Sequence, residues 1–303
     1  MKIEGLTRIE CEHCAVTHAS QVISRRAPEK LSPRPFWRVM WDLFDFPIGY
    51  NGALWILVIK DEYSGKLFGY ILVSKSLTEV IRSIRGFEQW TKRQYGLSIY
   101  KIKHDNEKAV IAIKGTTEYQ RWAEAEGIDL ELSPLYTHES NGAIERAGQE
   151  VITRSIKMRI AARLPEILWP ETTITAIWLY NISPSESHNW KTPNEVLDLW
   201  FRNYFRWYDP KLVIRLTVDL RPNWNGIYAY GARAYPLMRE REAGRERRAF
   251  KIRPRAHIGY LVGYEASNLY RIWVPALERV IISRNVTFDE SKLYSNDHEI
   301  AEG

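Results

Sequence analysis

Residues 36–73 read FWRVMWDLFDFPIGYNGALWILVIKDEYSGKLFGYILV, three apolar runs separated by turn-forming residues. Their lengths and composition predict strands over 36–44, 53–60 and 67–73. Gly65, inside DEYSGK, supplies the permissive backbone that a tight hairpin between the second and third strands needs. Ser76 is placed to cap a helix over 77–94, and another strand is expected over 97–103. Three meander strands, a helix and a fourth strand predict an α/β fold: a mixed sheet with flanking helices. One residue in the first run does not fit a purely structural reading. Asp42 is a carboxylate within an apolar segment, where desolvation is costly unless a partner or a cation compensates. Asp45 reads as a surface residue and Asp61 as a turn former.

Working outward, a second helix is expected over 117–126, ending at Gly127, with a brief strand over 128–132 and a turn at Pro134. SNGAIER, residues 140–146, opens a long helix whose buried stripe is Ile144, Ala147, Val151, Ser155 and Met158 at helical spacing. Glu145 flanks that stripe one turn in, so it can point along the sheet edge toward Asp42 and toward Asp105, which follows the alternating LSIYKIK. Three acids from distant segments converging on one place suggest phosphoryl-transfer chemistry. A helix starting at Pro165 and running to about Tyr180, and another capped by Thr192, follow. From about Tyr228 short alternating strands (HIGYLVGY, LYRIWVP, RVIISRNVTF) predict a small separate β-barrel.

Composition bounds the alternatives. With 303 residues, 45% of them apolar, the chain has ample material for a buried core and is long for a single domain. Its formal charge is +6. The window 233–255 holds nine basic and three acidic residues, a surplus equal to that of the whole chain, which favours a polyanionic partner for that stretch. Cys11 and Cys14 are the two cysteines and stand close together, so a disulfide framework and a secretory origin are not expected. The longest apolar run, Ala53–Ile59, is too short for a bilayer, and a soluble, intracellular protein is expected. Residues 1–35 read as a Cys/His-bearing lead ending in the proline-rich RRAPEKLSPRP. Trp37, Trp41, Trp169 and Trp178 sit in apolar stripes and read as packing, as do most of Tyr260, Tyr264, Tyr270 and Trp273.

Five stretches, in order, resemble the integrase segment of a Ty1/copia-type retrotransposon polyprotein. They are CEHCAVTH; WDLF with its DEYSGK hairpin; HDNE; SPLYTHESNGAIER leading through LPEILWPE and YNISPSES to KTPNEVL; and RPRAHIGYLVGYEASNLYRIWVP with RVIISRNVTFDES. The resemblance implies an RNase H-like catalytic core, an SH3-like β-barrel after it, and an acidic triad of Asp42, Asp105 and Glu145 that binds metal. Chemistry agrees: joining a DNA 3′ hydroxyl to a phosphodiester suits two Mg²⁺ or Mn²⁺ ions about 4 Å apart, held by hard carboxylate oxygens. The implied activity is that of a metal-dependent polynucleotidyl transferase or endonuclease that processes and joins retroelement ends into target DNA. Implied partners are DNA and further copies of the chain, in a homo-multimer without a membrane, acting in the nucleus. Expected DNA contacts are Asn141, Arg146, Lys157 and Arg159 around the catalytic helix, and Arg245, Arg247, Arg248, Lys251 and Arg253 in the basic stretch.

The expected domain division is a lead over 1–35, a catalytic core over 36–200, a connector over 201–227, and the basic stretch with its barrel over 228–303. Cys11 and Cys14 resemble the second half of a His-His-Cys-Cys zinc module, but no histidine precedes residue 11. With only His13 and His18 nearby, the expected zinc site is incomplete. The chain also departs from the family after Asp105, where HDNEKAV lacks the usual glycines and 39 residues separate Asp105 from Glu145. Thr137, His138 and Glu139 stand where the family has proline and glutamine after threonine. These departures support an alternative: a catalytically degenerate or domesticated nucleic-acid-binding remnant.

Overall fold

The computed structural model describes residues 32–104, 118–132, 142–208, 226–238, 254–266 and 268–295. The chain divides into Met1–Leu31 and Ser32–Gly303, and the first unit, with Cys11 and Cys14, lies outside the described residues.

The first sheet is built from β1 (Arg38–Asp45), β2 (Trp55–Asp61), β3 (Leu67–Leu72), β4 (Lys101–His104) and β5 (Asp129–Leu132), in the order β3-β2-β1-β4-β5. The three strands of the opening stretch pair antiparallel, whereas β4 and β5 add parallel to β1. Parallel neighbours require crossovers, and these are supplied by α1 (Leu77–Tyr95) and α2 (Glu118–Glu126). Because both faces are covered, β1 and β2 are apolar nearly throughout. One face packs Val39, Trp41, Leu57 and Ile59 on Ile84 and Phe87 of α1 and Tyr119 of α2. The other packs Met40, Phe44, Ile56 and Val58 on α3 (Gly142–Ala161) and α4 (Trp169–Asn181). The stripe expected on α3 is buried: Ile144, Ala147, Val151 and Ser155, with Met158 packed beside them.

Local signals account for the ends. Ser76 accepts the Glu79 amide to start α1, and Gly96, at φ 65°, stops it. Thr192 and Glu195 form a reciprocal capping box opening α5 (Pro193–Tyr208), the hydroxyl accepting the Glu195 amide and the carboxylate accepting the Thr192 amide. That helix runs across the boundary expected between residues 200 and 201. Asp61 is fully buried and accepts the amides of Phe36 and Ser64 and the Ser64 hydroxyl, so it shapes the β2–β3 turn and also pins the entry to β1. Asp45 is exposed, as expected. The helix expected from Pro165 is divided: Glu166–Leu168 forms a 3-10 turn, and α4 begins at Trp169 with Pro170 in its first turn. Proline has no amide to donate, so either residue suits a helix start, and the second one takes that role.

The second sheet comprises β6 (Arg233–Pro236), β7 (Gly259–Ala266), β8 (Leu269–Val274), β9 (Arg279–Ser283) and β10 (Val286–Asp289). It is antiparallel throughout, with β10 returning to β6 in the order β10-β6-β7-β8-β9. Tyr260, Tyr270 and Trp273 are buried, as expected, and Tyr264 is packed against Tyr270. This sheet sits on α4 and on the end of α3, where Ala162, Leu164 and Leu168 cluster with Tyr260, Val262 and Trp273. Among the described residues no helix is long and apolar enough to cross a membrane.

Candidate active site

Alternation along β1 decides where Asp42 stands. Its register partner on β2 is Val58, and its neighbours two residues away, Met40 and Phe44, pack against Ile144, Ala147 and Val151 of α3. Asp42 therefore leaves the sheet on the α3 side. It is half-buried, and its Oδ1 accepts the Leu43 amide at 2.9 Å.

Glu145 lies in the first turn of α3 and is also half-buried. Two attachments fix that turn. Gly148, one turn further on, lies on the Phe44 ring so closely that a Cβ there would fall 2.0 Å from Cζ, and side chains three apart on a helix are neighbours. Lys60 on β2, opposite Met40, donates from Nζ to the Ala143 carbonyl at 3.3 Å. The helix start is thereby held over β1 and β2, and Glu145 and Asp42 come from far-separated segments to the same side of the sheet.

Asp105 lies outside the described residues. His104, the residue before it, ends β4 beside Trp41, the residue before Asp42. His104 is buried, stacked on Trp41 at 5.0 Å and edge-on to Tyr119 at 5.6 Å, and the Trp41 indole donates to the Tyr119 hydroxyl at 3.4 Å. The carboxyl-terminal end of β4 is thus locked alongside β1 at the level of Asp42. Among the described residues, no three His, Cys, Asp or Glu side chains form a metal-binding group. The two described acids nevertheless fit a hard divalent cation: both are carboxylates, both keep access to solvent, and both stand on one side of the sheet.

The positive charges along α3, from its first turn beside Glu145 to its far end, are of two kinds. Arg146 is exposed, bonding from Nε to the Gly142 carbonyl at 2.8 Å, and Lys157 is exposed. Arg159 closes the end of α3, donating to the Leu164 carbonyl and pairing with Glu166. Asn141 and the basic residues Arg245, Arg247, Arg248, Lys251 and Arg253 lie outside the described residues. Lys60 was not among the residues singled out from sequence. Burial first, and the Arg146 charge second, hold its amine below the ordinary lysine range. Its signal in the sequence is a single charge closing the apolar run WILVI.

A second buried polar group joins the two sheets. Glu171 of α4 receives Arg271 of β8 through Nε at 2.6 Å and Nη2 at 2.8 Å, and its Oε1 accepts the Tyr50 hydroxyl at 2.6 Å. The bidentate pair and the desolvation of Tyr50 lift the arginine and tyrosine above their usual ranges. Thr175 donates to the Val262 carbonyl at 3.0 Å, and Trp178 stacks on Tyr264.

Residues 232–302 match the retroviral polymerase SH3-like domain. The chain is 26% identical over 243 residues, 80% of its length, to the retrovirus-related Pol polyprotein from transposon TNT 1-94 of Nicotiana tabacum. It is 22% identical over 284 residues, 93% of its length, to that from transposon RE1 of Arabidopsis thaliana. It spans 16% and 17% of those two polyproteins. Among solved structures, the catalytic core domain of BIV integrase is matched over 57% of this chain and 99% of that one, at 16% identity and a TM-score of 0.41. The chain is thus similar to one segment of the retrovirus-related Pol polyproteins of copia-type transposons, and its residues 232–302 match the retroviral polymerase SH3-like domain.

Proposed function

We propose that this segment is the integrase of a copia-type retroelement: a divalent-metal-dependent polynucleotidyl transferase that trims element DNA ends and joins them to a target duplex. The observation that supports the reading is that Asp42 leaves the sheet on the side covered by α3, whose first turn carries Glu145 and whose Gly148 is seated on Phe44. Asp42, Glu145 and Asp105 would hold Mg²⁺ or Mn²⁺. When bound, such ions activate a water or a 3′ hydroxyl as nucleophile and neutralise charge at phosphorus. The chain's own part is to fix two oxygen donors on rigid elements and to leave them open to solvent. Lys60 and Arg146 supply positive charge beside the first turn of α3, where a phosphate backbone would approach. Arg245, Arg247, Arg248, Lys251 and Arg253 would add sequence-independent affinity for DNA, Cys11 and Cys14 retain half of a zinc module, and the active form would be a homo-multimer working in the nucleus.

The test is strand transfer with oligonucleotide duplexes in Mn²⁺. Asp42→Asn, Glu145→Gln and Asp105→Asn each reduce joining below detection while the thermal melting of the chain stays within a few degrees of wild type. Wild-type protein that binds duplex in a salt-sensitive way but joins nothing, under conditions where an active relative does, selects the degenerate binding remnant instead.

A further inference from the structure

Between α4 and α5 the chain makes a small closed loop, Ser185–Lys191, bridged by its two end residues. It is bonded to itself: the Trp190 amide donates to the Ser185 carbonyl at 2.9 Å and the Asn189 amide to Glu186 at 2.9 Å. His188 lies against Gly65 of the β2–β3 turn, where a Cβ would fall 2.5 Å from Cε1, and its Nδ1 is 2.9 Å from the Ser185 hydroxyl. The loop is therefore seated on the first sheet.

Two of its features conflict with a purely structural role. Asn189 and Trp190 have φ of 52° and 59°. Asparagine tolerates the left-handed region, but for a bulky side chain it is strained. That strain does not bury the indole, since Trp190 is 73% exposed. Backbone strain that presents an indole to water points to a ligand for the indole. Its setting is cationic: Lys191 is exposed beside it, and the Lys60 charge reaches His188, helping burial to hold that imidazole below its ordinary range. Lys60 also anchors the first turn of α3, which carries Glu145. Exposed Glu186 is the one acid in the loop.

We propose that the Ser185–Lys191 loop is a contact for single-stranded DNA, in which Trp190 stacks on an unpaired base and Lys191 meets the adjacent phosphate. Aromatic stacking with neighbouring cations is the chemistry by which unpaired strands are held irrespective of sequence. This rests on the integrase reading, since frayed or overhanging ends are the substrate that such an enzyme handles next to its carboxylates.

The experiment measures binding of the full chain, in EDTA, to a labelled blunt duplex and to the same duplex with a short single-stranded overhang. Trp190→Ala and Trp190→Gly weaken overhang binding about tenfold, the order of one lost stack, and leave blunt binding unchanged. Trp190→Phe keeps most of the affinity. Trp190→Gly melts no lower than wild type, because glycine relieves the left-handed backbone, so its loss of binding is not a loss of fold. Equal overhang affinity for Trp190→Ala and wild type overturns the proposal while leaving the integrase reading in place. So does an equal loss on both duplexes, or a wild-type chain that self-associates where Trp190→Ala does not, which would assign the indole to a second copy. Wild-type protein that binds neither duplex overturns both readings.

Discussion

Helix α4 has two faces buried in different ways. Toward the first sheet it presents Trp169, Ile174 and Ile177, the last two lying over Gly69 of β3. Asn181 closes this side by bonding both backbone groups of Leu67 on the edge strand, accepting at 2.8 Å and donating at 2.8 Å. Toward the second sheet it presents Glu171, Thr175 and Trp178, each with a directional partner. Apolar contact is insensitive to small rotations, whereas a bidentate carboxylate–guanidinium pair tolerates few. The first face thus supports the first sheet, and the second sets the angle at which the β unit is mounted.

The largest effect should come from breaking the directional face. Arg271→Ala leaves Glu171 buried and unpaired and should destabilise the chain by about 3–5 kcal/mol, measured by urea denaturation. The double variant Glu171→Met with Arg271→Met should recover most of that loss, since a well-packed apolar pair can replace a buried ion pair. If the double variant is as unstable as the single one, the interface depends on the fork geometry more than on charge burial.

The apolar face should yield less. Ile177→Ala leaves a cavity above Gly69 and should destabilise by about 2–4 kcal/mol, without altering the mounting of the β unit as read by small-angle scattering. A change in scattering would mean that the two faces are mechanically coupled.

Alkaline pH should separate the surroundings of the two faces with the smallest effect. Lys66, in the β2–β3 turn, is held down to about 8 by burial, partly offset by Asp61. Its folded pKa lies below the unfolded value, so between pH 8 and 10 the unfolded chain binds more protons and stability rises. Burial raises Tyr264 and Tyr70 to about 12 and lifts Tyr230 further. Above pH 10 the unfolded chain therefore releases those protons first, and stability falls. Lys66→Met should reduce the rise, to which the depressed Lys60 also contributes, and keep the fall; an undiminished rise would assign it to Lys60 or another group.

The contrast also explains what the sequence made legible. Strands β1 to β3 and helix α1 could be read from residues 36–96 because their periods are unbroken and Gly65, Ser76 and Gly96 mark their ends. Helix α3 carried a readable stripe because only one side of it is apolar. Helix α4 carried no such stripe: with Glu171, Thr172, Thr173 and Thr175 buried beside Ile177, neither face stands out, and two prolines competed for its start. Asp42 and Glu145 were legible through chemistry and resemblance. Lys60 was not, because alternation gives the side of a sheet on which a residue emerges and not the carbonyl it will meet. Arg271 and Glu171, 100 residues apart, had no local signal beyond a charge inside each apolar run.

The return of β10 to β6 has a consequence for biosynthesis. The outer edge of β6 acquires its partner only when Val286–Asp289 has left the ribosome. Until then a nascent chain carries a complete first sheet and an incomplete β unit in which the edge of β6 is open, the form most exposed to mispairing with a neighbouring chain. Translation that stops short of residue 286 would thus yield a polypeptide prone to clumping, even though every residue of the carboxylate site had already been made.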